Sequence, residues 1–169
     1  MLPILFLSSC QKEEEDKGEV QQEIIGDFDG SLGPDLGLNL AFEQNHQPIP
    51  ILDLKVELYT MPLPGVYEKV YDPSTTCQDG YTKSYLYNRL EIGFDEPTSG
   101  KRGVSALYIA INGGRKNRLE MTSVLNEEYQ EYEKESVCLN GGKIIWQKPD
   151  RTDLPHLQLA ADGLLTYEE

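Results

Sequence analysis

Hydrophobic and polar side chains alternate at every second position through most of this chain, the period of a strand with one face buried and one face wet. Leu36, Leu38 and Leu40 alternate with Gly37 and Asn39, and Phe42 continues the same parity. Residues 51–59 put Leu52, Leu54, Val56 and Leu58 on one face and Asp53, Lys55 and Glu57 on the other, which predicts a half-buried strand. Pro48, Pro50, Pro62 and Pro64 bracket it, as expected of a residue that cannot donate into a ladder.

Turn chemistry divides the rest of the pattern. Residues 104–111 and 115–124 flank Asn112-Gly113-Gly114, and residues 133–139 and 143–147 flank Asn140-Gly141-Gly142. Asn and Gly accept the positive φ of tight turns, so both segments read as β-hairpins. Residues 81–94 form one long bent strand or two strands broken near Asn88, and residues 98–103 an exposed connection. Residues 126–134 admit two readings. Asn126 caps a short helical turn holding Glu127, Glu128 and Glu131, or Tyr129 and Tyr132 lie on a solvent-facing strand. Leu157 and Leu159, an Asp162-Gly163 turn and residues 164–167 make a small final hairpin.

About nine or ten strands joined by short turns, with at most one short helix, imply an all-β fold. The proline-punctuated N-terminal half favours an antiparallel β-sandwich, while the run of hairpins after Tyr81 keeps a lipocalin-like barrel as the alternative. No βαβ alternation is present, so a nucleotide-binding α/β fold is not expected.

Charge narrows the partners. The net charge of −14 argues against nucleic acid, whose phosphates need a basic surface. No stretch approaches the roughly 18–20 apolar residues of a membrane-spanning helix.

The opening residues supply an address. A short apolar run ends in Leu7-Ser8-Ser9-Cys10, and Gln11-Lys12-Glu13-Glu14-Glu15-Asp16 follows at once. Small residues ahead of a cysteine, behind an apolar run, resemble the lipobox of bacterial lipoproteins. The resemblance implies that residues 1–9 are a signal peptide, that Cys10 becomes the acylated (palmitate-bearing) N-terminus, and that residues 10–19 are a tether. Only nine residues precede Cys10 and none is basic, so a true start upstream is expected. Lys12 with Glu13, Glu14 and Glu15 resembles the surface-export signal of Bacteroidota-type lipoproteins. That implies a domain, residues 20–169, anchored in outer-membrane lipid and facing the cell surface; a periplasm-facing spacer is the alternative. Several acyl chains, each burying about 0.8 kcal/mol per methylene, make a stable anchor.

With Cys10 lipidated in an oxidising compartment, Cys77 and Cys138 remain as a candidate disulfide, closing a long loop for roughly 4 kcal/mol in the chain-entropy account; two unrelated small residues are the plain alternative. His46 and His156 each sit beside a proline and match no metal-ligand spacing. Asp27-Phe28-Asp29-Gly30-Ser31 with Asp35 has closely spaced oxygens but not the EF-hand order. No metal, cofactor or catalytic residue is assigned: Ser105 lies mid-strand outside any nucleophile elbow, and carboxylates are too abundant for a glycosidase pair to be picked out. Tyr81, Tyr85 and Tyr87 share one parity, and Trp146 lies beside the last long hairpin; such aromatics either bind a protein or glycan or simply pack across strands. The expectation is a non-enzymatic, lipid-anchored binding module or accessory subunit of an envelope complex, with a glycan-binding lipoprotein of an uptake system or a carboxylate hydrolase as alternatives.

Overall fold

The computed structural model describes residues 36–70, 81–84, 87–148 and 154–168. Cys10, the acidic tether, Cys77 and Tyr85 lie outside the described residues. Twelve strands occur among those described: β1 Gly37–Gln44, β2 Gln47–Pro48, β3 Val56–Leu63, β4 Val66–Lys69, β5 Tyr81–Ser84, β6 Arg89–Gly93, β7 Arg102–Ile111, β8 Lys116–Asn126, β9 Glu131–Leu139, β10 Lys143–Gln147, β11 His156–Leu159 and β12 Leu165–Tyr167. One sheet runs β12-β11-β1-β6-β5, with β2 on β1; the other runs β10-β9-β8-β7-β3-β4. All pairings are antiparallel except β1 with β11. Two separate sheets, not one closed on itself, make this the expected all-β sandwich and exclude the barrel.

Strand parity builds the core. Leu38, Leu40 and Phe42 of β1 and Leu90 and Ile92 of β6 face Val56 and Leu58 of β3, Ile109 and Ile111 of β7, and Leu119 and Met121 of β8. All are essentially sealed from solvent, each buried aliphatic side chain contributing about 1.5–3 kcal/mol relative to exposure.

Both Asn-Gly-Gly segments are tight turns. Asn112 and Gly113 adopt φ of 53° and 70°, and Asn140 and Gly141 of 50° and 79°. Gly114 N–H donates to Ile111 O at 2.9 Å and Gly142 N–H to Leu139 O at 3.3 Å, closing each turn.

The structure departs from the sequence pattern in two elements. The strand expected over 51–59 begins only at Val56; Ile51–Asp53 is a 3₁₀ turn. Asn88 Oδ1 accepts the Ile51 N–H at 2.7 Å, taking the donor that a ladder would use. Ile51 is therefore buried, and Leu52 is 53% exposed. The helical turn allowed over 126–134 is instead the β8–β9 hairpin. Asn126 Oδ1 accepts N–H groups from Glu128 and Tyr129 at 3.0 and 3.4 Å, and Gln130, with φ of 56°, returns the chain to β9. Asn126 therefore caps a turn and not a helix.

Candidate docking surface

Of the aromatics marked by parity, Tyr85 lies outside the described residues, and the others fall on two different sheets. Residues 81–94 make two strands, and Asn88, with φ of 48°, turns the chain between them. Tyr81 belongs to β5, whereas Tyr87 sits in the turn, 53% exposed, with the Arg89 guanidinium 4.9 Å from its ring centre. Trp146 lies on β10 of the other sheet, half-buried against the core edge, with the Lys134 ammonium 4.2 Å above its ring. Cys138 is a free thiol on β9, opposite Glu120, and its proposed partner Cys77 lies outside the described residues.

A different tyrosine group is assembled on the outer face of the second sheet. Because Val56 and Leu58 point inward, Glu57 and Tyr59 of β3 point outward; by the same alternation Tyr108 of β7 points outward between Leu107 and Ile109. The register sets Tyr59 directly across from Tyr108. β4 folds back over this pair. Tyr67 stands edge-to-face against Tyr108 at 5.1 Å and 85°, and against Tyr59 at 6.4 Å and 81°. Such T-shaped contacts contribute about 0.5–1.5 kcal/mol beyond area burial. The Lys116 ammonium lies 4.8 Å from the Tyr59 ring and 4.9 Å from the Tyr67 ring. Tyr108 Oη donates to Met61 Sδ at 3.8 Å.

Polar contacts hold the rings in place. Tyr59 Oη donates to Glu57 Oε2 at 2.8 Å, and Lys55 Nζ reaches Glu57 Oε1 at 3.1 Å. The Tyr59 hydroxyl, then Lys55, hold the Glu57 carboxyl below its ordinary pKa. The same bond raises the Tyr59 phenol, so it stays neutral and donating. Next to the rings, the β3–β4 turn exposes Leu63 and Val66, at 64% and 46%. Around the rings, Lys55, Lys69, Lys116 and Arg118 stand with Glu57 and Glu120, a local basic excess in a chain of net charge −14, with Lys55 paired to Glu57 and Arg118 to Glu120; farther along this face β9 adds Glu133 and Glu135. Sequence reasoning missed this group, although the inward leucines of β3 and β7 already assign Tyr59 and Tyr108 to the wet face. Only the pairing of β3 with β7 makes them neighbours.

The opposite sheet carries a polar corner. The parallel β1–β11 pairing brings His156 Nδ1 to 2.8 Å from Glu43 Oε1, and Gln158 Nε2 donates to Glu43 Oε2 at 2.6 Å. His46 lies 4.0 Å from Glu168. The His156 hydrogen bond, with Gln158 and the two imidazoles, lowers the Glu43 pKa. Among the described residues, no three His, Cys, Asp or Glu side chains converge as metal ligands. Clefts open among the described residues. One of about 230 Å³ is bordered by Asp53, Asn112 and Ala160, and one of about 250 Å³ by Asn126, Glu133 and Lys148. Asn126 and Lys148 lower the Glu133 pKa, the opposite of what a glycosidase acid requires.

Comparison of the chain with known families, with curated proteins and with solved structures gives no match.

Proposed function

We propose that this protein is a non-enzymatic, lipid-anchored envelope module that docks a protein partner through the Tyr59–Tyr67–Tyr108 face. Acylation at Cys10 moors the domain in the outer membrane, and Lys12 with Glu13, Glu14 and Glu15 directs it to the cell surface. Confinement to the membrane raises the effective concentration for a neighbouring complex without new contacts.

The tyrosine cluster is the observation that carries this reading. Tyrosine and arginine are enriched among residues that dominate binding energy, because they offer large area at low rotamer cost beside a polar handle. Leu63 and Val66 add exposed apolar surface at the same end of the sheet. A sugar ring stacks best on open coplanar faces. Here Tyr67 stands nearly perpendicular to both neighbours, and Lys116 sits above two rings. Projecting rings with an apolar rim suit interdigitating protein side chains.

The test is site-specific photocrosslinking in intact cells. A photoreactive phenylalanine analogue at Tyr67 is expected to give a discrete protein adduct that the same analogue at Thr166, on the outer face of the other sheet, does not give. The Tyr59→Ala substitution should cut that adduct at least tenfold. No adduct at position 67, or equal adducts at both positions, contradicts the reading.

A further inference from the structure

Beside the tyrosines, the ladder between β3 and β7 stops at Tyr59 and Tyr108. β8 covers one side of β7 from Arg102 opposite Val124 to Ala110 opposite Lys116. β3 covers the other side only from Ile111 to Tyr108; past Tyr59 it pairs with β4 alone, through an irregularity between Thr60 and Leu63. Asn112 N–H donates to Lys55 O at 2.7 Å, which fixes the residues whose main-chain groups point toward β3. Alternation makes these Ala110 and Tyr108, then Ala106 and Val104. Among the described residues, no strand meets Ala106 or Val104 on that side.

Natural sheet edges are guarded by charge, proline or a covering loop. The sequence Gly103-Val104-Ser105-Ala106-Leu107 carries neither charge nor proline, and Val104 is 60% exposed. At the closed end of this edge, Lys116 rests on the tyrosine rings, with Lys69 and Arg118 on the same face.

Resting on the docking face proposed above, we infer that the partner engages it by strand addition. An extended, acidic segment of the partner protein pairs with the main chain of Val104 and Ala106, and a carboxylate at its leading end meets Lys116. Its alternate side chains lie against Met61, Tyr67 and Tyr108. Main-chain bonds supply affinity in this mode, and the pockets between side chains supply selectivity.

The experiment uses the full lipidated chain in detergent solution and three synthetic heptapeptides. One alternates valine with aspartate, one is the same peptide N-methylated at every second residue, and one has lysine for aspartate. The valine–aspartate peptide should shift the amide resonances of Val104 and Ala106 and slow their hydrogen exchange at least tenfold. N-methylation removes donors without touching the protein, and it should weaken binding at least tenfold; the lysine peptide should bind at least fivefold more weakly. Equal binding of the N-methylated peptide, or no change at Val104 and Ala106 at millimolar peptide, overturns strand addition. Protection of both amides that rises with protein concentration and no peptide also overturns it, by making a second copy of this chain the occupant. The Tyr67 crosslink reads the parent proposal separately. A crosslink retained while the peptide arms fail leaves the docking face standing, and a crosslink lost while the amides respond removes the tyrosines and keeps the edge.

Discussion

Asn117 shows how one side chain joins the two sheets. It is sealed from solvent on β8, where a polar group without partners costs about 1–3 kcal/mol. Its Nδ2 donates to Gly163 O at 2.8 Å and Arg115 O at 3.1 Å, while Oδ1 accepts from Leu165 N–H at 2.9 Å and Asn140 Nδ2 at 3.1 Å. Asn117→Leu keeps the volume and strands the Gly163 and Leu165 main-chain groups. The expected loss is about 3 kcal/mol in urea unfolding, with faster amide exchange at Leu165. Local pattern does not signal this role, because Gly163 and Leu165 come from a hairpin over 40 residues away. Glu57 yields a pH prediction. Its folded pKa is depressed, so its stabilising effect is present above the unfolded carboxyl pKa and is lost as pH falls through the folded value. Glu57→Gln should lower the melting temperature at pH 7, and that gap should narrow as pH falls through the folded carboxyl's depressed pKa. A gap that stays constant across the whole acid range contradicts the ion-pair account.

Hairpins were the most legible elements, since their turns are specified by residues adjacent in sequence. Both Asn-Gly-Gly turns and the C-terminal hairpin formed where turn chemistry put them. The 51–59 strand failed at its start because Asn88, far along the chain, captures the Ile51 N–H. The same Asn88 turns the chain from Tyr87 into β6, so residues 81–94 divide into two strands. Local pattern therefore carried strand faces and turns, while long-range hydrogen bonds decided where strands end. The two kinds of glycine make a contrast that unfolding measurements can check. Gly113, with φ of 70°, has nothing within 4 Å of an added Cβ, so Gly113→Ala should cost about 1 kcal/mol from backbone strain alone. At Gly163, with φ of 86°, the added Cβ would stand 2.6 Å from Arg115 N and 2.7 Å from Gly114 Cα. Those are main-chain atoms in the turn beside Asn117, so Gly163→Ala should cost at least about 2 kcal/mol more than Gly113→Ala. Equal costs would show that the close approach of the two turns contributes nothing.

At the scale of the molecule, the two outer faces differ in kind. One is a hydrogen-bonded polar surface around Glu43, Arg89 and Glu91; the other carries the tyrosines with a local excess of basic groups and, among the described residues, a stretch of β7 with no strand paired on its β3 side. The sandwich was readable from alternation, but the site was not, because strand order decides which tyrosines meet. The proposed surface role requires the domain to be held at the membrane, and the proposed anchor is Cys10. Intact mass spectrometry of the protein extracted from its native membranes tests this directly. The account predicts a polypeptide that begins at Cys10 and carries the added mass of acyl chains; an unmodified Cys10 thiol with residues 1–9 still attached would contradict it.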